Sequence, residues 1–82
     1  MYYVYLLVNE HNEKYIGYTS DLRRRVKEHQ EGRSPYTSQR GKEWRLVYYE
    51  AYPKEEMARK REAILKRNGS MRKHLYRRFE LL

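Results

Sequence analysis

Residues 2–19 read YYVYLLVNEHNEKYIGYT, and the rest of the fold builds on this stretch. Tyr2 to Val8 and Lys14 to Thr19 are rich in aromatic and β-branched residues, the types that favour strands. The polar residues NEHNE at positions 9–13 separate the two runs. The pattern predicts an antiparallel hairpin.

The segment after the hairpin has the pattern of a short amphipathic helix. Asp21 is a candidate N-cap, and Val26 and His29 lie four and seven residues after Leu22. A glycine follows Glu31 and can end the helix. We therefore predict a helix from about Asp21 to Glu31.

A long loop and a third strand come next. The segment from Gly32 to Glu43 is polar and contains a proline and two glycines, so it predicts a loop of a length that is often functional. Trp44 to Tyr52 predicts the third strand. Strict alternation would place Trp44, Leu46, Tyr48, Glu50 and Tyr52 on one face, and Val47, Tyr49 and Ala51 on the other.

Two further helices are expected in the last third. Pro53, followed by two glutamates, marks a second helix that ends near Asn68. Ser70 is the candidate cap of a third helix, in which Met71, Leu75 and Phe79 repeat every four residues. The predicted class is α+β, a small three-stranded antiparallel sheet flanked by helices in the order ββαβαα. Residues 1–82 are expected to form a single domain.

Glu62 occupies a position where a core side chain is expected. On the second helix, Ala58, Glu62 and Leu65 form one inward-facing stripe. An unpaired carboxylate costs several kcal/mol when it is buried, so we expect Glu62 to meet a metal ion or a basic side chain. The candidate basic partners are Arg25, Arg59 and Lys66.

Composition limits the class of protein. The 82 residues contain no cysteine, which excludes disulfides and a thiolate zinc site. No apolar run approaches the ~20 residues that a membrane span needs, and the N-terminus lacks the pattern of a signal peptide. We expect a cytoplasmic, monomeric protein with no membrane partner.

Positive charge is concentrated in the last third of the chain. Residues 54–82 hold ten Lys or Arg against four acids, whereas residues 1–53 hold nine against seven. Together with ten tyrosines, this distribution predicts a nucleic acid partner, whose phosphates pair with cations and whose bases stack on rings. A basic face that serves only solubility is the alternative.

Several short motifs, taken in order, resemble the GIY-YIG nuclease superfamily. They are VYL at 4–6, YIG at 15–17, the run from Asp21 through Arg25 to His29, and REA at 61–63. The resemblance covers nearly the whole chain. One departure is Tyr3, which stands where the family often has glycine, in a segment that keeps the tyrosine of the motif as Tyr5.

The resemblance implies a GIY-YIG-like fold and a metal-dependent endonuclease that hydrolyses DNA phosphodiester bonds with low sequence specificity. It implies that Glu62 binds one Mg²⁺ or Mn²⁺ ion and that Arg25 binds the scissile phosphate. Tyr5 and Tyr15 would activate and position the attacking water, with Tyr5 as the preferred base. His29 would orient a tyrosine or assist the proton relay.

Nucleic-acid contacts outside the catalytic centre are expected from the long loop and from the two C-terminal helices. The expected partner is DNA, either single- or double-stranded, and the sequence does not distinguish the two. The candidates are Lys14, Arg33, Tyr36, Thr37, Arg40, Lys42, Arg59, Lys66, Arg67, Arg72 and Lys73.

Each assignment also has a structural alternative. Tyr5 and Tyr15 are equally typical of core positions in strands. Arg25 belongs to a run of three arginines that would suit a solvated face, and His29 would suit a hydrogen-bonded surface site. For the whole chain, the alternatives to a nuclease are a non-catalytic DNA- or RNA-binding module that retains the fold, and a protein-interaction module.

Overall fold

Three antiparallel strands and three helices make up the computed structural model, which describes residues 1–79. The strands are β1 (Tyr2–Val8), β2 (Lys14–Thr19) and β3 (Arg45–Tyr52), and the helices are α1 (Leu22–Gln30), α2 (Glu55–Arg67) and α3 (Gly69–Arg77). The strand order is β2-β1-β3. The predicted α+β class and the order ββαβαα are confirmed. Within residues 1–79, no helix has the length and apolar character needed to cross a membrane.

Asn9 closes the hairpin between β1 and β2. Its side-chain oxygen accepts the backbone N–H groups of His11 and Glu13, each at 2.9 Å. Asn12 takes the positive φ of 61° that the turn needs, a conformation that asparagine tolerates better than most residues. The polar segment predicted as a turn therefore fixes the register of the two strands that carry the motif tyrosines.

The central strand β1 separates two cores of different chemistry. The aliphatic face packs under α2 and α3 and is built from Val4, Leu6, Val8, Ile16, Ala58, Leu65 and Leu75. The α1 face contains the buried residues Tyr5, Leu7 and Trp44, against which Tyr15, Leu22 and Val26 pack. Tyr5 and its polar neighbours therefore lie on the less aliphatic side of the sheet.

The faces of β3 differ from the prediction. Leu6 and Leu7 are neighbours on β1, but their partners on β3 are not consecutive, so Val47 is the extra residue of a β-bulge. As a result Trp44 packs on the α1 face, whereas Tyr48 packs on the aliphatic face. The prediction that Trp44 and Tyr48 share a face was wrong, because one inserted residue interrupts the period of two.

The helix caps were predicted with mixed success. Asp21 is confirmed as the cap of α1, since its carboxylate accepts the Arg24 N–H at 3.1 Å. Ser70 is not the cap of α3. The side-chain oxygen of Asn68 accepts the Met71 N–H at 3.1 Å instead, so Ser70 lies inside the helix.

The long loop between α1 and β3 is fastened to the hairpin turn. The Glu10 carboxylate accepts the backbone N–H groups of Lys42 and Glu43 at 3.1 to 3.2 Å. A Cβ on Gly41 would lie 2.5 Å from the Asn9 amide nitrogen and 2.6 Å from a Glu10 oxygen. Gly41 therefore allows the loop to lie close against the turn, and the loop takes a defined position beside α1.

Candidate active site

A groove at the β2 edge of the sheet gathers side chains from four separate elements. Tyr5 comes from β1, Tyr15 from β2, Arg25 from α1 and Glu62 from α2. The groove encloses about 350 Å³. Its full lining is Tyr5, Tyr15, Tyr18, Arg25, Tyr36, Glu62 and Lys66, and we call it the tyrosine groove. Four of the five predicted catalytic side chains thus share one site.

Tyr5 reaches this position because Gly17 has no side chain. The two residues face each other across the β1–β2 ladder. A Cβ on Gly17 would lie 2.5 Å from the Tyr5 hydroxyl oxygen and 3.0 Å from the Tyr15 ring. Any larger residue would therefore displace both phenols. The sequence reasoning assigned no role to Gly17, although its place in the YIG motif was an available signal.

His29 lies beneath Tyr5 and is not exposed on the groove wall. Its side chain is only 1% exposed, with Nε2 2.9 Å from the Tyr5 hydroxyl and Nδ1 2.8 Å from Oγ1 of Thr37. Burial, and after it the positive charge of Arg25, lowers the pKa of His29 to about 4. The imidazole is therefore neutral at neutral pH.

A count of donors gives the direction of these two hydrogen bonds. Thr37 is completely buried, and its hydroxyl has no other hydrogen-bond partner among residues 1–79. A buried hydroxyl that failed to donate would cost about 1 to 3 kcal/mol, and the Tyr5 hydroxyl, unlike that of Thr37, belongs to a residue that lines the groove, so we infer that Thr37 donates to Nδ1 of His29. The single N–H of the neutral ring is then on Nε2 and donates to the Tyr5 oxygen. The phenolic hydrogen of Tyr5 is left for the groove.

The pKa of Tyr5 is shifted upward. Burial is the largest cause, the neighbouring Tyr15 adds to it, and the Arg25 charge acts in the opposite direction. The phenol therefore keeps its proton at neutral pH until further positive charge enters the groove.

Arg25 is oriented by two neighbours. Its Nη1 donates to Glu28 at 3.0 Å, and its Nη2 donates to the hydroxyl of the fully buried Ser34 at 3.5 Å. A guanidinium carries five N–H donors, so these contacts leave donors for a phosphate. The side chain is about 29% exposed, which keeps it accessible from the groove.

Glu62 is less buried than its helix position predicted. Ala58 and Leu65, which share its stripe, are almost completely buried, whereas the Glu62 side chain is 21% exposed. This turn of α2 lies beside the edge strand β2, where no further element covers the carboxylate. The ion pair that the structure gives Glu62 is with Lys66 at 3.5 Å, one of the expected partners.

The donor set around Glu62 fits one hard divalent cation. Mg²⁺ keeps several waters and usually takes one or two carboxylates together with phosphate oxygens. A lone carboxylate opposite an arginine would therefore be sufficient if a substrate phosphate completed the coordination. Residues 1–79 contain no group of three or more His, Cys, Asp or Glu that could hold a metal by protein ligands alone.

The predicted nucleic-acid contacts fall into distinct places. Tyr36 and Lys66 line the tyrosine groove. Lys14, Arg40 and Arg72 line an adjoining groove that also contains Lys66. Arg59 lies at the rim, where its Nε donates to the Tyr18 hydroxyl at 2.9 Å. The structure brings Arg33, Lys42, Arg67 and Lys73 to neither groove.

Thr37 does not fit its predicted role as a nucleic-acid contact. Its side chain is completely buried, and its hydroxyl is engaged by His29. Sequence reasoning placed Thr37 on the surface because the loop around it is polar. Its position instead makes it a residue that orients His29.

A larger groove, of about 820 Å³, lies between α1 and β3. Its walls include Tyr3, Leu46 and Tyr49, and within residues 1–79 its carboxylate is that of Asp21, which already caps α1. Its cations, Arg23 and Lys27, lie on the same helix, whereas the charged residues of the tyrosine groove come from two different helices. The larger volume is therefore not accompanied by charged groups from separate helices.

One polar cluster was not anticipated from the sequence. The Glu50 carboxylate accepts hydrogen bonds from Tyr48 and Tyr52, both at 2.5 Å, and from two nitrogens of Arg61 at 2.9 and 3.0 Å. Burial opposes ionisation, but these hydrogen bonds outweigh it and lower the pKa of the Glu50 carboxyl. We call this the Glu50 cluster; it joins β3 to α2.

Comparison with known proteins gives a consistent family. Residues 1–78 match the model of the GIY-YIG catalytic domain. A UPF0213 protein of Halalkalibacterium halodurans is 41% identical over 66 residues, which cover 79% of this chain and 69% of that protein. A UPF0213 protein of Streptococcus pneumoniae serotype 4 is 35% identical over 65 residues, which cover 79% of this chain and 66% of that protein.

A solved structure agrees with these matches. The solution NMR structure of the UPF0213 protein from Bacillus halodurans superimposes with a TM-score of 0.58 at 36% identity, and covers 96% of this chain and 85% of that chain. The chain spans about two thirds of the length of the first curated relative, and the relatives' names state no activity. Since the family model extends over residues 1–78, the chain belongs to the GIY-YIG family.

Proposed function

We propose that this protein is a metal-dependent endonuclease that hydrolyses DNA phosphodiester bonds with low sequence specificity. The observation that carries the proposal is the meeting of Tyr5, Tyr15, Arg25 and Glu62 in one groove, although each comes from a different element. The family model that the chain matches describes a catalytic domain, which supports an enzyme over a passive module. We further propose that it acts as a monomer in the cytoplasm.

Glu62 would hold one Mg²⁺ or Mn²⁺ ion. When bound, such an ion polarises a phosphoryl oxygen and neutralises the charge that develops there. The Lys66 ammonium lies 3.5 Å from the Glu62 carboxylate. When substrate and metal enter, Lys66 would either share this carboxylate with the metal or lose its ion pair with Glu62. Its ammonium then remains beside the phosphate as an additional positive charge.

Arg25 binds the scissile phosphate and stabilises the pentacovalent state. Because Glu28 and Ser34 already orient the guanidinium, little side-chain entropy is lost when it takes hold of a phosphate oxygen. Its charge also favours ionisation of Tyr5.

Tyr5 is the general base in this proposal. Once its groove-facing proton has passed to solvent, its oxygen is stabilised by the His29 Nε2–H and by Arg25. This oxygen takes a proton from the attacking water while the water oxygen bonds to phosphorus. The bond from phosphorus to the leaving oxygen breaks, and the leaving oxygen keeps the electron pair and takes a proton from solvent. His29 is not the proton acceptor, because Thr37 occupies its Nδ1 and its pKa is about 4.

Tyr15 positions the attacking water or the phosphate. Its ring lies 6.3 Å from the Tyr5 ring centre, and the Lys66 ammonium lies 5.6 Å from the centre of the Tyr15 ring. Arg25 and Lys66 are the cations of the tyrosine groove and would assist the base, whereas Lys14 lies in the adjoining groove.

Low sequence specificity follows from the chemistry of the remaining contacts. The side chains available at the two grooves are mainly cations and tyrosine rings, which bind phosphates and stack on any base. Tyr36, 71% exposed at the rim of the tyrosine groove, is the ring best placed to stack on a base.

The decisive experiment compares the purified protein with two variants on labelled single-stranded, double-stranded and branched DNA and on RNA. We expect cleavage with Mg²⁺ or Mn²⁺, none in chelator, and none by Glu62→Ala, which should bind DNA within a few-fold of wild type. Glu56→Ala, which removes an exposed acid from the same helix, is the control and should cleave normally. Equal cleavage by wild type and Glu62→Ala would indicate a contaminating nuclease and would contradict the proposal.

A non-catalytic DNA- or RNA-binding module is the second candidate. It is favoured by the Glu62–Lys66 ion pair, which engages the carboxylate without a metal, and by the raised pKa of Tyr5. This candidate predicts salt-sensitive binding to nucleic acid but no cleavage by wild type with any divalent metal.

A further inference from the structure

A second groove adjoins the tyrosine groove along the β2 edge, and we call it the distal groove. It encloses about 260 Å³. Tyr15 and Lys66 line both grooves, so the two form one continuous track. Beyond this shared wall the distal groove is lined by Lys14, Arg40, Arg72 and Tyr76.

Four cations and no carboxylate line the distal groove. Neutral groups hold two of them in place. The Lys14 ammonium lies 5.5 Å from the centre of the Tyr76 ring, and Arg72 donates to the Leu65 and Lys66 carbonyls at 2.8 and 2.5 Å. Neither Lys14 nor Arg72 forms a salt bridge with a carboxylate in the described part of the chain.

The other two cations are only weakly neutralised. Arg40 donates to the Lys14 carbonyl at 3.1 Å and is 3.9 Å from Glu13, at the limit of an ion pair. Lys66 is engaged by Glu62 on the side of the tyrosine groove. Cations gathered in one concave surface repel each other, and an anion that enters the groove relieves this repulsion.

We propose that the distal groove binds a phosphate of the same DNA strand that neighbours the phosphate held by Arg25. This inference rests on the proposed function, because it takes the tyrosine groove as the place of cutting. The Arg72 fork and the Lys14 point charge are the two complementary ways in which proteins bind phosphate. The substrate strand must therefore continue from the cut towards the distal groove. Its 5′-to-3′ direction across the protein is then fixed.

The test measures the dissociation constant of a labelled single-stranded oligonucleotide in chelator, so that it does not depend on cleavage. Lys14→Gln removes one charge from the distal groove, and we expect it to weaken binding roughly 3- to 10-fold. It should also reduce the slope of log affinity against log salt by about 0.7. Lys14→Arg should bind as wild type does.

The control is Lys60→Gln, which removes the same charge from an exposed position on α2 that lines neither groove. A neutral methylphosphonate is then placed at each position of the oligonucleotide in turn. Mapping of the cleavage position in Mg²⁺ gives the register in which the protein binds this strand. With the methylphosphonate at one position on one side of the cut, the ratio of wild-type to Lys14→Gln affinity should fall to about one. The phosphate that Lys14 contacts is then already neutral, so removing the lysine charge costs no further affinity.

Two results would overturn the proposal. An equal loss of affinity in Lys60→Gln would show that only net charge matters. A ratio that stays the same at every methylphosphonate position would show that Lys14 contacts no particular phosphate. If wild type cleaves nothing, the affinities of wild type, Lys14→Gln and Lys60→Gln in chelator still test the contact. Failure of the nuclease proposal is therefore distinguishable from failure of this one.

Discussion

Two clusters in this molecule contain the same kinds of side chain and yet are arranged in opposite ways. The Glu50 cluster combines a glutamate, an arginine and two tyrosines, and the tyrosine groove combines a glutamate, an arginine, a lysine and four tyrosines. In the first, every partner is directed at the Glu50 carboxylate. In the second, Arg25 and Tyr5 are held from behind by Glu28 and His29, and their remaining donors face the groove.

The comparison shows that residue types alone do not identify a reactive site. Glu50 accepts four hydrogen bonds and has no capacity left for a ligand, whereas Glu62 has one ion pair at 3.5 Å. A saturated carboxylate stabilises the contact between β3 and α2, and a carboxylate with free acceptor positions is available to a metal.

The largest expected effect comes from exchanging the two carboxylates for amides. Glu62→Gln should reduce the cleavage rate by at least about a thousand-fold, because several kcal/mol of metal-dependent stabilisation are lost. It should change the free energy of unfolding by less than about 1 kcal/mol. Glu50→Gln should lower the free energy of unfolding by about 2 to 4 kcal/mol, because Arg61 loses its charged partner.

Urea unfolding and single-turnover cleavage measure these two quantities for both variants. Below the unfolding transition, Glu50→Gln should cleave at nearly the wild-type rate. A Glu50→Gln variant that keeps its stability and loses cleavage would contradict a purely stabilising role for the Glu50 cluster.

The second prediction separates the tyrosines of the groove. Tyr5→Phe should lower the single-turnover rate by about 10²- to 10⁴-fold, the range expected for removal of a general base. Tyr15→Phe, which removes a positioning hydroxyl, should lower it by about tenfold. Phenylalanine preserves both rings, so circular dichroism should show an unchanged fold. A larger loss for Tyr15→Phe would make Tyr15 the base.

The third prediction concerns stability below neutral pH. The unfolded chain protonates His29 near pH 6.5, whereas the folded protein does so only near pH 4. Between these values the unfolded state binds more protons, so the free energy of unfolding falls as the pH is lowered from 6.5 to 4. The full loss is at most about 3 kcal/mol. His29→Gln should lack this contribution.

Urea unfolding at several pH values measures the slope, and ring ¹⁵N shifts of His29 report its pKa and tautomer. At pH 7 the proton should be on Nε2, as the donation from Thr37 requires. A His29 that titrates near 6.5, or that carries its proton on Nδ1, would contradict the hydrogen-bond direction derived for Tyr5.

The parts of the fold that depend on local pattern were predicted well. The strands, the helices, the polar turn and the Asp21 cap all follow from spacing and propensity within a few residues. The bulge at Val47 was missed because it depends on pairing with β1, a partner far away in sequence. The Ser70 prediction was wrong because it gave Asn68 only to the end of the second helix, whereas Asn68 both ends α2 and caps α3.

The site could be predicted only in part. Family resemblance named Tyr5, Tyr15, Arg25 and Glu62, and the structure places them in one groove. The motif position of Gly17 was a usable signal, whereas the role of Thr37 depends on which side chains lie behind the groove, and no local sequence pattern reports that burial. The assignments of all these residues to catalytic steps stay predictions until the variants are measured.

The fastening of the long loop has a practical consequence for protein engineering. Hairpin turns at the surface are usually favoured places for inserted tags or peptides. Here the turn residues Asn9 and Glu10 hold the loop that carries Tyr36 and Thr37. An insertion between Asn9 and Glu13 would therefore disturb the support of His29, far from the inserted residues.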